Sequence, residues 1–255
     1  MTSVFLAGES TVCGRQRSRA PMAGWGQPLP LFLQGPEVIN CARAGASSTS
    51  FVQRGRLGWI LEHIAPGDLL LISFGLNDMK PGEDLFAAPF DGFQSNLRHY
   101  VDEARDRGAH PVLVTPHERR VFDRFGNMRR PLHLYPAAMR EVAVRLSVPL
   151  IDLNEWSVAW WRQAGPEGTR AIFLHLAPGE HPNYPEGVAD NTHLRAAGAI
   201  ECARFVASEM RARLLLPAAC FRNLETAFDP DQAVEFPDDA AFAYLTKTRT
   251  TGGRR

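Results

Sequence analysis

The chain has 255 residues, 45% of them hydrophobic, which suits one large domain or two small ones and excludes disorder throughout. Its 28 lysines and arginines balance 28 aspartates and glutamates, so no overall field selects nucleic acid or a membrane surface as partner. No apolar run approaches the roughly 20 residues of a membrane span, because prolines and glycines break even the uncharged stretch from Ala20 to Pro36.

Met1 leads directly into Val4-Phe5-Leu6-Ala7 without the basic flank, long apolar region and cleavage site of a secretory signal. The expected location is cytoplasmic, or secreted if a signal has been removed. Val4 to Ala7 is the first predicted strand. Val38 to Cys41, Leu69 to Phe74, Pro111 to Val114 and Pro149 to Ile151 follow, each short, aliphatic and bounded by Gly, Pro, Asn or Asp. Between them lie helical patterns around Gln27 to Gln34, Phe51 to His63, Phe93 to Arg107 and Pro136 to Leu146, with Gly108 as a C-cap. Short strands alternating with helix-length crossovers predict an α/β fold, a three-layer α/β/α sandwich on a parallel sheet of about five strands. Glu155 to Gln163 reads as another helix, Ala164 to Asn191 as a long loop, and Leu194 to Leu214 as the closing helix. From Pro217 the composition turns acidic and then basic at Lys247, Arg249, Arg254 and Arg255. The expected division is a domain over residues 1–216 and an extension over 217–255, a surface wrap or a partly disordered terminus. Cys13, Cys41, Cys202 and Cys220 are too few and too scattered to staple the chain and read as reduced and buried.

In an open parallel sheet the ligand site lies beyond the carboxyl ends of the strands, so the residues just after each strand carry the chemistry. The first strand is followed by Gly8-Glu9-Ser10-Thr11, where glycine permits a tight turn and Ser10 is a candidate nucleophile or, more plainly, a helix cap. Asn40 to Ser48 follows the second strand and Gly75-Leu76-Asn77-Asp78 the third. A tetrahedral oxyanion needs two or three rigid N–H donors, which the backbone of Ser10 and Gly45 and the amide of Asn77 can supply together. Near the start of the closing helix, Asp190 precedes His193 by three residues, a spacing that fits one turn. Asp190 would hold the Nδ1 proton of His193 and leave Nε2 free to take the proton of Ser10.

These blocks resemble the SGNH or GDSL hydrolases, and within them the rhamnogalacturonan acetylesterase-like branch of carbohydrate esterases. The resemblance rests on Phe5 to Val12, Gly24-Trp25-Gly26-Gln27, Asn40 to Ser48, Ser73 to Asp78 and Asp190 to His193. Thr115-Pro116, Arg119-Arg120, Phe122-Asp123, Tyr135-Pro136, Pro149 to Leu153 and Pro182 to Gly187 are similar to that branch as well. It spans roughly residues 4 to 213 and implies a flavodoxin-like fold, no cofactor, Ser10 as nucleophile, His193 as base and acid, Asp190 as its orienter, and Ser10, Gly45 and Asn77 as oxyanion donors. The departure is Glu9 where the family usually has Asp, which is expected to alter the bracing of the nucleophile loop. Ser10 is not within G-x-S-x-G, since position 12 is Val, so the elbow of the α/β-hydrolases is not the frame.

The implied activity is removal of O-acetyl groups from plant cell-wall oligosaccharides, acetylated rhamnogalacturonan first, with neutral acetylated xylan as the nearest rival and a noncatalytic carbohydrate-binding protein as the alternative class. Arg15, Arg17 and Arg19 after the nucleophile, and Arg119, Arg120, Arg124, Arg129 and Arg130 after the fourth strand, are expected at the rim of the site to meet galacturonate carboxylates. Trp25, Phe122 and Tyr184 are candidates to stack on sugar faces. A metal cluster of His175, Glu180, His181, Asp190 and His193 is disfavoured, because their spacing matches no ligand pattern. Partners other than the oligosaccharide are not expected, neither nucleic acid nor membrane, and the oligomeric state is not legible.

Overall fold

A computed structural model of the protein describes residues 2–82, 84–132 and 134–248. Of the expected basic end, Arg249, Arg254 and Arg255 lie outside the described residues. The first part of the chain forms β1 (Ser3–Gly8), β2 (Met22–Ala23), β3 (Glu37–Asn40), α1 (Ser48–Gln53), α2 (Arg56–His63), β4 (Leu69–Ser73) and α3 (Gln94–Asp106). Then come β5 (His110–Val114), α4 (Leu134–Leu146), β6 (Leu150–Ile151), α5 (Leu153–Gly168), β7 (Phe173–Leu176) and β8 (Val188–Arg195). Helices α6 (Ala196–Ala212), α7 (Pro230–Ala233) and α8 (Asp239–Thr248) complete it.

Strands β3, β1, β4, β5 and β6 pair in that order, all parallel, and make the expected five-stranded sheet. Alternate residues of each strand face opposite sides, and both sides are apolar. Val4, Leu6, Leu69, Leu71, Val112 and Val114 enter one core with α5 and α6. Phe5, Ala7, Leu70, Ile72 and Leu113 enter the other with α1 to α4. Two helical layers over one sheet give the three-layer sandwich.

Four expectations change in the structure. Gln27 to Gln34 contains only a short 3-10 turn at Leu29–Phe32, because Pro28 and Pro30 lack backbone N–H groups. The helix expected over Phe51 to His63 is two helices, separated where Gly55 adopts φ +71°. Helix α5 runs past Gln163 to Gly168, with a kink where Gly165 leaves helical geometry just before Pro166. The long loop expected over Ala164 to Asn191 holds β7 and the first half of β8, which pair antiparallel with each other and, through β8, with β2 in a second sheet.

Residues 217–240 run back along the domain. Phe221 bridges to Leu33, Phe228 meets Phe32 edge-on at 5.8 Å, Val234 is buried, and the Pro237 carbonyl accepts from the Arg17 N–H at 2.8 Å. All four cysteines are free; Cys13, Cys41 and Cys202 are buried and Cys220 is partly exposed. Among the described residues no helix is long and apolar enough to cross a membrane.

Candidate active site

Because the strands of the large sheet are parallel, the loops after β1, β3 and β4 share one edge, and there they deliver Ser10, Gly45 and Asn77. These three residues, with Asp190 and His193 from β8, line one cavity of about 790 Å³. Ser10 sits in a turn closed by N–H donation from Val12 and Cys13 to the Glu9 carbonyl (3.1 and 3.0 Å), and stays 9% exposed. Gly8 is needed here for close approach. A Cβ on it would lie 2.7 Å from Val12 Cγ2 and 2.9 Å from the Ser73 carbonyl oxygen.

Asp190 and His193 are not on the first turn of α6, as their spacing suggests, but in a bulge of β8. Phe173 faces Leu194 and His175 faces Ala189, so two steps along β7 match five along β8 and residues 190–193 bow out. The Asp190 carboxylate organises the bow. Its Oδ1 accepts from the backbone N–H groups of Thr192 (2.8 Å) and His193 (3.0 Å), and its Oδ2 lies 2.7 Å from His193 Nδ1. Burial raises the Asp190 pKa, but the His193 hydrogen bond and charge, with the two N–H donors, outweigh it and bring the value down to about 2. The imidazole is thereby oriented with Nε2 as its remaining nitrogen.

Two backbone donors are ready at the cavity. Among the described residues, the N–H groups of Ser10 and Gly45 find no hydrogen-bond acceptor, and Gly45 holds φ +77°, a conformation that favours glycine. Asn77 differs. It is 2% exposed, and its Nδ2 donates to Glu9 Oε2 (3.0 Å) and to the Ala46 carbonyl (2.9 Å). Glu9 is fully buried and also accepts from the N–H groups of Leu76 (3.0 Å) and Asn77 (2.9 Å), so the longer acid ties the nucleophile loop to the loop after β4. Burial, and after it the nearby Asp78, pushes the Glu9 carboxyl up to about 8.

The described lining of the cavity is mostly cationic. Arg15, Arg19, Arg43, Lys80 and Arg119 line it, with Arg56 buried at its base, and Asp190 is the one carboxylate among the described lining residues. Arg15 donates to the Ser10 carbonyl (3.1 Å) and Arg119 to the Thr192 hydroxyl (3.1 Å). The rest of the second arginine cluster turns elsewhere. Arg120 is tied to Thr169 (2.9 Å) and Asn191 (3.0 Å), Arg129 pairs with Asp123 (3.0 Å), Arg130 pairs with Glu155 (2.6 Å), and Arg124 lies over Phe125. Arg17 is exposed outside the cavity. Trp25 is 0% exposed in the core, where no sugar can reach it. Phe122 packs against that core, and Tyr184 lies outside the cavity and donates its hydroxyl to the Arg19 carbonyl at 3.2 Å. His175 and Glu180 line a separate hollow, and among the described residues no three His, Cys, Asp or Glu side chains gather as metal ligands would.

Arg43, Arg56, Lys80 and Phe242 were not legible as cavity residues. Arg43 and Lys80 have a signal in their places, between Cys41 and Gly45 and three residues after Asn77; Arg56 and Phe242 reach the cavity through tertiary packing that no local pattern announces.

A parallel sheet with a serine after its first strand and an aspartate-oriented histidine facing the same cavity defines a hydrolase of the serine type in outline. The chain belongs to the GDSL-like lipase/acylhydrolase family, whose pattern matches residues 6–199, and it is accordingly a carboxylic ester hydrolase. It is 48% identical over 205 residues to rhamnogalacturonan acetylesterase RhgT of Bacillus subtilis (strain 168), covering 80% of this chain and 87% of that one. It is 35% identical over 210 residues to the probable rhamnogalacturonan acetylesterase YesY of the same organism, covering 82% and 92%. The crystal structure of protein YxiM from Bacillus subtilis superposes with TM-score 0.70 at 29% identity, over 83% of this chain and 56% of that one. A catalytic mutant of Axe2, an acetylxylan esterase from Geobacillus stearothermophilus, shares the fold at TM-score 0.57 and 19% identity, over 82% and 95%.

Proposed function

We propose that this protein is a serine esterase that removes O-acetyl groups from acidic plant cell-wall oligosaccharides, acetylated rhamnogalacturonan fragments above all. Ser10 Oγ attacks the acetyl carbonyl carbon as its proton passes to His193 Nε2. The new C–O bond pushes the carbonyl electron pair onto oxygen, where the N–H groups of Ser10 and Gly45 and the Asn77 amide receive it. Collapse breaks the bond to the sugar oxygen, which leaves with the proton from His193. A water then repeats the sequence on the acyl-enzyme, its proton going to His193 and on to Ser10 Oγ, and acetate departs. Asp190 stays ionised throughout and fixes the imidazole.

The observation that carries the substrate class is the cationic cavity around Ser10. Among the described lining residues five unburied cations face a single carboxylate, and that carboxylate is occupied by His193. A neutral polysaccharide has no use for such a field, whereas galacturonate residues supply one carboxylate each. The names of RhgT and YesY point to the same substrate.

Acetate release from acetylated rhamnogalacturonan oligosaccharides and from acetylated xylan, with Ser10→Ala beside the native protein, tests the reading. Native activity on the acidic substrate is expected, lost in Ser10→Ala, with a KM that rises as sodium chloride is raised. Equal efficiency on xylan, or a salt-independent KM, would overturn the acidic specificity; release that survives in Ser10→Ala would overturn the mechanism.

A further inference from the structure

The cavity that holds Ser10 and His193 has one aromatic side chain among its described lining residues, Phe242 of α8. It comes from beyond residue 199, where the family pattern ends. Phe242 Cε2 stands 3.6 Å from the position a Cβ on Gly14 would take, so the ring covers the loop just after the nucleophile, and it is half-buried there. The segment carrying it is fastened at several points. The Glu235 carbonyl accepts from Gln27 Nε2 (2.7 Å), the Pro237 carbonyl from the Arg17 N–H (2.8 Å), and Asp239 Oδ1 from the Ser18 N–H (3.2 Å). Asp238 caps α8, its Oδ1 accepting from the Ala241 N–H (2.8 Å), and the Thr246 carbonyl accepts from Arg56 at 3.4 Å.

An acidic pyranose presents two kinds of surface, a carboxylate and an apolar face of ring C–H groups. The cavity presents the complements of both, five cations and, among the described lining residues, one phenyl ring. We propose that Phe242 is the platform on which a sugar ring next to the acetylated residue stacks, and that it sets the preference for oligosaccharide over small acetate esters. Stacking contributes to binding and leaves the chemistry at Ser10 alone, so the effect falls on KM. This inference rests on the carbohydrate esterase reading above.

Native enzyme, Phe242→Ala, Phe242→Leu and Phe242→Tyr are to be compared on acetylated rhamnogalacturonan oligosaccharides and on triacetin. In Phe242→Ala and Phe242→Leu the KM for the oligosaccharide is expected to rise about tenfold, and the ratio of its kcat/KM to that of triacetin to fall about tenfold. Phe242→Tyr, which keeps an aromatic face, is expected to restore both. Leucine fills much of the same space without a π face, so a ratio lost in alanine but kept in leucine would assign Phe242 to packing and overturn the proposal. An unchanged ratio in all variants, or faster turnover of both esters on truncation of the ring, would overturn it too while leaving the esterase reading intact. Native enzyme that hydrolyses triacetin but none of the oligosaccharides would remove the carbohydrate reading, and the platform with it.

Discussion

Asp190 divides one carboxylate between shape and chemistry. Oδ1 gathers the two N–H groups that hold the bulge, and Oδ2 faces His193 Nδ1. In Asp190→Asn the amide oxygen can still hold the bulge, while the group facing the imidazole selects the wrong tautomer. The expected outcome is a near-native melting temperature with turnover lower by about 10⁴-fold, read from kcat and a thermal melt. Asn77 is also shared. Both hydrogens of its amide are engaged in the resting site, one by the buried Glu9 carboxyl group, so to serve an oxyanion it would have to share a hydrogen already in use. Asn77→Ala should therefore lose on two counts, about 100- to 1,000-fold in turnover and about 1–3 kcal/mol in stability as Glu9 loses a donor. A variant that is less stable but turns over normally would leave Asn77 a structural role only.

At the scale of elements, the inner strands of the parallel sheet were legible because they are buried on both faces and so read as short aliphatic runs; Leu69 to Ser73 shows this plainly. The convergence of Ser10, Gly45 and Asn77 on one cavity was legible for a related reason, since the carboxyl ends of parallel strands share one edge. Strand β8 was not legible. Its sequence Val-Ala-Asp-Asn-Thr-His-Leu-Arg is polar, its alternation is interrupted by the bulge, and its pairing is with segments distant along the chain, so it read as loop followed by helix. Proximity of Asp190 to His193 survived this error because a bowed strand can close the same i to i+3 gap as a helical turn. The aromatic candidates failed because Trp25 looks the same in sequence whether it faces solvent or core. Glycine at position 8 was read as a turn former, whereas the structure needs it for the contact of β1 with Val12 and Ser73. Gly8→Ala is accordingly expected to cost about 1–3 kcal/mol through overpacking. It should also lower kcat by displacing Ser10 two residues on, as denaturation midpoints and steady-state rates would report. Unchanged values for both would mean that the loop yields freely.

For the whole molecule, a net charge of zero concealed a local imbalance, since six of the 28 lysines and arginines but one described carboxylate line the cavity. The same folding that collects them buries Glu9 and Asp78, and this links stability to pH. Burial raises Asp78 from 3.8 to about 6, and burial with Asp78 beside it raises Glu9 from 4.5 to about 8. Each group holds a proton when folded that it releases when unfolded, so each contributes stability below its unfolded pKa that is lost as pH rises through its folded pKa. His117 works in the opposite sense. Burial lowers it from 6.5 to about 4, so the unfolded chain takes up a proton there that the folded chain refuses, and stability from this group grows between pH 4 and 6.5. Between pH 4.5 and 6 the opposing contributions partly cancel, but between about pH 7.2 and 8 Asp78 is past its folded pKa, His117 is largely deprotonated in the unfolded chain as well, and Glu9 is the largest of the three contributions. Unfolding free energy is thus expected to fall across that window, by at most about 1.4 kcal/mol per pH unit, the limit for one proton. Denaturant midpoints at about pH 7.2, 7.6 and 8.0 would show it. In Glu9→Gln the amide sets an NH₂ against one of the N–H donors that Glu9 accepts, so that variant should be less stable at about pH 7.2, yet its midpoint should no longer depend on pH over the window. A native slope that persists in Glu9→Gln would assign the proton to some other group, and a flat native profile would mean that three N–H donors keep the Glu9 carboxylate ionised despite its burial.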